Sequence, residues 1–417
     1  MRETGRAATG HIAIYLLGVW LAVSGAAAVG VAEAQTSFAD DFVPQPAYAG
    51  QTRAPLATQS PRLIFTTLTT DLFNPFGLQW LPDGRMLVTE SVGRLRVVDS
   101  NGTLAEPIEG LPPIWAVGFN GLHDLALDPG FAENRHIYFA YAAPPEGSTI
   151  PGPEEDFAET ARRLVARARL SEDETRLEDV EIIFEAMVRR LAFGPDGKLY
   201  MTTQAAQAQR ANAQDMNHLG GKVLRTNPDG SIPEDNPWVG DDSIHDAVFA
   251  NGLRDPSGAA FNPGTGELWT VEHGPRGGDE LNIVRAGRNY GWPIITYGRE
   301  YDEEPLGDGL TAMDGVEQPN YFWAPSIAPS SLMFYTADLI PHWTGNAFVT
   351  TLAGEHLARL ELVGDRVVAE ERLFVGNEQR LRTASQGPDG ALYLLVAGEQ
   401  GSVIRLTPKP VTNPLAE

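Results

Sequence analysis

The densest run of chemistry-bearing residues reads Val271-Glu272-His273-Gly274-Pro275-Arg276-Gly277-Gly278-Asp279-Glu280-Leu281-Asn282. It continues as Gly287-Arg288-Asn289-Tyr290-Gly291-Trp292-Pro293. Gly274-Pro275 and Gly277-Gly278 force an irregular loop with outward-turned carbonyls, and Asp279 and Glu280 add carboxylates beside it. Such oxygens suit a hard cation like Ca²⁺, although Gly-rich acidic loops often only turn the chain. No nucleophile triad or phosphate-binding Gly loop fits its surroundings, since the Gly-x-Gly spacings lack a strand-to-helix unit. Arg162, Arg163, Arg167 and Arg169 form the only basic cluster and read as a solvated strand face.

The elements that must position this loop are short strands. One grammar recurs: an apolar pair, a Pro-Asp-Gly turn, then an alternating apolar run. It appears at Leu81-Pro82-Asp83-Gly84, Gly194-Pro195-Asp196-Gly197 and Gly387-Pro388-Asp389-Gly390. Looser copies hold Asp128-Pro129-Gly130, Pro263-Gly264-Thr265-Gly266 and Trp343-Thr344-Gly345-Asn346. Asp-Gly and Thr-Gly supply the positive φ of a tight hairpin turn. Residues 163–170 alternate with a period of two, as a strand does. Repeated units of this kind predict an all-β chain folded as a six-bladed β-propeller, in preference to a pair of β-sandwiches. Long connections at residues 143–156 and 299–318 exceed ordinary hairpin loops, and the second is acidic.

Composition narrows the function. The 417 residues carry 31 Lys+Arg against 55 Asp+Glu, a net charge of −24, and no cysteine. That charge repels phosphate backbones and excludes a nucleic-acid partner. Lack of cysteine excludes disulfides, thiolate metal sites and cysteine nucleophiles. Arg2 and Arg6 precede an apolar run over residues 12–31 that ends in Ala32-Glu33-Ala34 before Gln35, the pattern of a cleavable signal peptide. An uncleaved anchor is the alternative. The expected organisation is a signal peptide over 1–34, a lead-in or tether over 35–67, the propeller over 68–410 and a tail over 411–417. A mature chain without a membrane span, exported to a bacterial periplasm or secreted, follows as the expectation.

The loop at 271–293 resembles the soluble aldose and glucose/sorbosone dehydrogenases that use pyrroloquinoline quinone (PQQ). So do Gly121-Leu122-His123-Asp124-Leu125-Ala126-Leu127, the run 214–225, Gly252-Leu253-Arg254-Asp255-Pro256-Ser257-Gly258 and Ala324-Pro325-Ser326-Ile327-Ala328-Pro329-Ser330-Ser331. The resemblance implies a six-bladed propeller with PQQ at one end and Ca²⁺ bridging the quinone to the carbonyls of Gly274 and Pro275. It implies that Arg254, with Asp255 beside it, contacts the cofactor, and that Arg380 and Arg382 face its carboxylates. Glu280 and Tyr290 fall in the region of a second, structural Ca²⁺ site. A sugar or related alcohol is the implied substrate, with an external electron acceptor that the sequence does not identify.

Departures cluster on the same pocket. Where the family carries its catalytic His, the chain reads Phe184-Glu185-Ala186-Met187-Val188-Arg189-Arg190, with Ala186 at the base's position. The acidic partner expected after Thr202-Thr203-Gln204 is Ala205. A lysine is absent from Thr351-Leu352-Ala353-Gly354, Phe119 replaces a polar sugar contact, and Asp255 replaces an Asn. Glu185 and His123 are the candidate substitute bases, while His218 and His273 read as scaffold residues. Loss of a general base typically costs ~10²–10⁴-fold in rate. The chain therefore reads as an exported quinoprotein-type oxidoreductase. The alternatives are a propeller that binds a ligand, glycan or protein without turnover, and a Ca²⁺-dependent lactonase, for which no ligand set assembles.

Overall fold

The computed structural model describes residues 44–410 apart from 58–59, 119, 146–160, 206 and 303. The expected signal peptide, the start of the lead-in, Phe119 and the tail at 411–417 lie outside the described residues. Among the described residues no helix is long and apolar enough to cross a membrane.

Among the described residues, twenty-three strands form six antiparallel sheets in chain order. The strand β1 (Leu63–Leu72) is set aside for the last blade. The first blade has three strands, β2 (Pro75–Trp80), β3 (Met86–Glu90) and β4 (Arg94–Val98). The second holds β5 (Leu122–Leu127), β6 (His136–Ala143), β7 (Arg162–Leu170) and β8 (Leu177–Glu185). The third holds β9 (Val188–Phe193), β10 (Leu199–Thr203), β11 (Lys222–Thr226) and β12 (Val248–Asn251). The fourth holds β13 (Pro256–Phe261), β14 (Leu268–Glu272), β15 (Asp279–Val284) and β16 (Tyr321–Trp323). The fifth holds β17 (Pro329–Phe334), β18 (Ala347–Thr351), β19 (Leu357–Val363) and β20 (Arg366–Leu373). In the sixth, β21 (Leu381–Gln386), β22 (Leu392–Val396) and β23 (Gly401–Pro408) are joined by β1, which pairs with β23 from Leu63↔Pro408 onward. One sheet thus takes strands from both ends of the propeller sequence and closes the ring.

This is the six-bladed β-propeller that the turn grammar predicts. The turns close as expected: Gly84, Gly197 and Gly390 have φ of 86°, 72° and 77°, and the preceding Asp accepts a backbone N–H two residues on. Two blades extend the device identically. Asp196 receives Tyr200 and Arg225, and Asp389 receives Tyr393 and Arg405. The core lies in wedges between blades. Leu87 and Leu95 pack on Leu125, Phe139 and Leu164, for example, and Leu78 and Val88 close the ring against Tyr393 and Leu395. Apolar burial between neighbouring blades contributes to holding the ring together.

The propeller begins earlier than the sequence boundary at 68. β1 begins at Leu63, in a run rich in Thr and β-favouring apolar residues, and the lead-in before it is fastened down. Gln51 is buried, with its Nε2 donating to the Pro319 carbonyl at 2.8 Å, and the Ala57 N–H donates to the Glu370 carbonyl at 3.1 Å.

Candidate functional site

The innermost strands, β2, β5, β9, β13, β17 and β21, surround the axis. Each carries a β-bulge at its start, and all six bulges lie at the same end. The register slips between Pro75/Leu78, Leu122/Leu125, Val188/Arg190, Pro256/Gly258, Pro329/Ser331 and Leu381/Thr383. An extra residue breaks the alternation and re-aims a side chain. The residues within these slips include Phe76, Asp124, Arg189, Ser257, Ser330 and Arg382. The Pro-Asp-Gly turns occupy the opposite end of the blades.

Arg190 fills the axis just below this ring. Its Nη1 donates to Asp124 Oδ1 at 3.0 Å, and its Nε to the Ser257 carbonyl at 2.6 Å. Nη2 donates to the carbonyls of Ser330 at 2.6 Å and Arg382 at 3.4 Å. The guanidinium lies 4.9 Å from the centre of the Phe76 ring. One side chain on β9 therefore touches the other five innermost strands. Asp124 completes the plug by accepting the Leu191 N–H at 2.9 Å.

Above the plug, among the described residues, Arg189, Arg254 and Arg382 gather around the buried carboxylate of Asp255. Arg189 pairs with Asp255, Nε to Oδ1 at 2.9 Å. Asp255 also faces Gln204 Nε2 at 3.3 Å and His273 Nδ1 at 3.6 Å. Burial opposes the charge of Asp255, but Arg189, His273 and Arg254 hold its carboxyl below the usual range. Arg254 lies over Trp292 and donates to the His273 carbonyl at 2.9 Å, yet its buried Nε has no partner. Arg382 stacks 4.9 Å from Phe76, makes a long contact to Ser330 Oγ and leaves its own buried Nε unpartnered. Burial and the neighbouring Arg190, Arg189 and Arg380 push it down to about 9. Arg380 precedes β21 and is exposed. The bulge at Arg382 explains why the pair does not share a simple strand face.

Two shallow clefts open at this mouth. One is lined by His123, Tyr141, Arg163, Ala186, Met187 and Arg189. The other is lined by Arg254, Glu272, His273, Gly274, Glu280 and Tyr290, among others. In the second, Asp279 organises the glycine loop: it accepts the N–H groups of Gly274, Ile327 and Ala328 and the Ser326 hydroxyl. It is engaged with loop donors, unlike the cation-facing carboxylate the sequence suggested. The Pro275 carbonyl accepts the Arg299 N–H at 3.0 Å. Glu272 and Glu280 both receive Asn282 Nδ2. Burial lifts Glu272 to about 7, and burial with the adjacent Glu272 lifts Glu280 well above the carboxylate range. The Tyr290 hydroxyl donates to the Ile283 carbonyl at 2.6 Å. No three His, Asp or Glu side chains among the described residues converge with metal-ligand geometry.

The other candidates separate. His123 lines the first cleft and stacks on Phe76 at 4.9 Å. Glu185 sits at the exposed end of β8, paired to Arg162 at 3.1 Å. His218 Nδ1 accepts the Gly220 N–H, and His273 Nε2 meets the Pro329 carbonyl at 2.7 Å. Of the basic cluster on β7, Arg162, Arg167 and Arg169 meet Glu185, Glu181 and Glu178 across the sheet, but Arg163 lines the first cleft instead of a solvated face. Sequence reasoning missed Arg189. The bulge that re-aims it shows only in the pairing of β9 with β10.

The chain is similar to known proteins along most of its length. The family model described as Glucose / Sorbosone dehydrogenase matches residues 72–405. The chain is 35% identical over 354 residues to Aldose sugar dehydrogenase YliI of Escherichia coli (strain K12), covering 82% of this chain and 92% of that protein. The crystal structure of the soluble aldose sugar dehydrogenase from Escherichia coli in the apo-form superposes with a TM-score of 0.76 at 33% identity, covering 84% of this chain and all of that one. The PQQ-bound form of aldose sugar dehydrogenase from Streptomyces coelicolor gives 0.67 at 26% identity, covering 84% and 99%. With the axial plug, the glycine loop and the arginine-rich mouth on one propeller, the chain belongs to the glucose/sorbosone dehydrogenase family.

Proposed function

We propose that this protein is an exported sugar dehydrogenase that uses PQQ at the arginine-rich mouth, with Ca²⁺ on the glycine loop. The observation that carries the reading is the surplus of buried guanidinium there. Arg254 and Arg382 each keep an unpartnered buried Nε, and Arg382 is depressed by burial and by the like charges around it. A planar polycarboxylate supplies the acceptors such groups want, so the residues present fit the cofactor. Arg254, Arg380 and Arg382 would hold its carboxylates, and Trp292 and Phe76 offer faces beside two of these guanidinia. The carbonyls of Gly274 and Pro275 would take Ca²⁺, with Glu280 and the Tyr290 region supporting a second ion. Bound PQQ supplies a two-electron acceptor for hydride from an alcohol carbon. The chain's own task is to neutralise that acceptor's carboxylates, fix its plane and present the hydroxyl-bearing carbon to it. Export rests on the N-terminal pattern of Arg2, Arg6, the apolar run and Ala32-Glu33-Ala34.

Binding without turnover is the second reading, favoured by one observation. Ala186 and Ala205, at the positions the resemblance gives to the base and its acidic partner, are both buried, at 7% and 1% exposure. Dye reduction by purified protein supplied with PQQ and Ca²⁺, across aldoses and simple alcohols, separates the two. Turnover with an aldose supports the dehydrogenase, and binding of PQQ with no dye reduction by any substrate supports the second reading.

A further inference from the structure

Each cleft at the mouth encloses about 10 Å³, the room of a single water. A sugar brought to this end is therefore held from the rim. Tyr301 stands there, 60% exposed, the most exposed aromatic side chain among the described residues. Arg254 Nη2 donates to its hydroxyl at 3.4 Å, which sets the ring beside a guanidinium that itself lies over Trp292. Single exposed side chains are ordinary, but this one is braced from several sides. The Glu300 N–H donates to the Glu304 carbonyl at 2.9 Å and the Arg299 N–H to the Pro275 carbonyl at 3.0 Å, so the turn closes on itself and on the glycine loop. The Glu300 carboxylate receives Gln207 Nε2 and Arg210 Nη1 from the 3₁₀ segment Gln207–Ala213. Arg276 Nη1 reaches the Tyr301 carbonyl at 3.4 Å. The braces order this aromatic side chain in advance, so a ligand that lands on it has less to immobilise.

A pyranose suits such a platform. Its ring hydrogens gather into an apolar face about the size of a phenol ring, whereas an open-chain polyol presents no such face. Tyrosine joins an apolar body to a polar tip, so its ring can cover that face while its hydroxyl stays with Arg254. We infer that Tyr301 is a specificity-determining residue of the mouth, stacking on the ring face of a cyclic aldose and favouring it over open-chain polyols. The inference rests on the dehydrogenase reading for calling that sugar a substrate, but ring-dependent binding is measurable without turnover.

Glucose and glucitol are the probes, equal in carbon number, one cyclic and one open. Both are titrated calorimetrically into the full-length protein, with and without PQQ and Ca²⁺, for the parent, Tyr301→Phe and Tyr301→Ala. Covering on the order of 50 Å² of ring corresponds to about five- to tenfold in affinity, and the parent should prefer glucose by at least that factor. Tyr301→Ala should lose the preference by weakening glucose while glucitol stays within about twofold of the parent. Tyr301→Phe should keep it. Equal parental affinity for the two probes, or no glucose binding at all, overturns the inference. So does a parallel loss of both probes in Tyr301→Ala, the mark of a loosened mouth, or a loss in Tyr301→Phe as large as in Tyr301→Ala. The absorbance of PQQ in the same samples keeps the two readings distinguishable. Ring-dependent glucose binding without PQQ binding refutes the cofactor and upholds this inference. PQQ binding with glucose affinity indifferent to Tyr301→Ala does the reverse.

Discussion

Replacing Arg190 by Met should destabilise the ring from its axis. Met fills similar space but deletes the ion pair to Asp124 and the donors to the Ser257, Ser330 and Arg382 carbonyls. Both partners of the ion pair are almost fully buried, with side-chain exposures of 6% and 10%. Stranding one member of such a pair costs ~3–5 kcal/mol. The two shortest carbonyl contacts add about 1 kcal/mol each where water does not replace the lost donor. A total of ~5–7 kcal/mol, against an unfolding entropy of about 0.9 kcal/mol/K for a chain of this length, lowers Tm by roughly 6–8 °C. Scanning calorimetry of Arg190→Met, Asp124→Asn and the double variant measures this. The double variant should recover about 2 kcal/mol over the sum of the singles, because no carboxylate is then left unpaired. A Tm within 1 °C of the parent for Arg190→Met, or strict additivity in the cycle, would refute the argument that this side chain ties the blades together.

Three further outcomes are expected. His356 is 2% exposed and burial pushes it down to about 4. Stability should therefore be undiminished above pH ~6.5 and fall by about 3 kcal/mol as pH drops towards 4; denaturant titrations of His356→Gln should show a shallower acid slope, and an unchanged slope rejects this. A Cβ on Gly274 would stand 2.1 Å from the Gly277 carbonyl oxygen and 2.3 Å from that of Gly278. Gly274→Ala should open the loop and weaken Ca²⁺ binding at least tenfold by calorimetry, with a small change in Tm. Arg189→Met should cost ~3 kcal/mol of stability by removing the principal cation paired with the buried Asp255, and Asp255→Asn on top should restore much of it in urea melts.

The blades were legible because hairpin chemistry is local. Gly84, Gly197 and Gly390 need only their neighbours to declare a turn, and period-two alternation marks the strands that flank them. Ring closure by β1 was not legible, since the pairing of Leu63 with Pro408 depends on residues at opposite ends of the propeller. Candidate site residues on the glycine loop stood out by composition, and Arg254 and Arg382 by resemblance. Arg189 and Arg190 did not stand out, because a bulge is a mismatch between two strands and neither strand shows it alone. Asp279 misled for a related reason. A carboxylate that caps loop N–H groups has the same sequence neighbours as one that holds a metal.

The arginine-rich mouth as a quinone site is tested most directly by titrating the purified protein with PQQ, with and without Ca²⁺, and following cofactor absorbance. Saturation at one equivalent with submicromolar affinity is expected, weakened about tenfold or more by Arg382→Gln and in the absence of Ca²⁺. No spectral change at micromolar PQQ in the presence of Ca²⁺, or binding indifferent to Arg382→Gln, would contradict it.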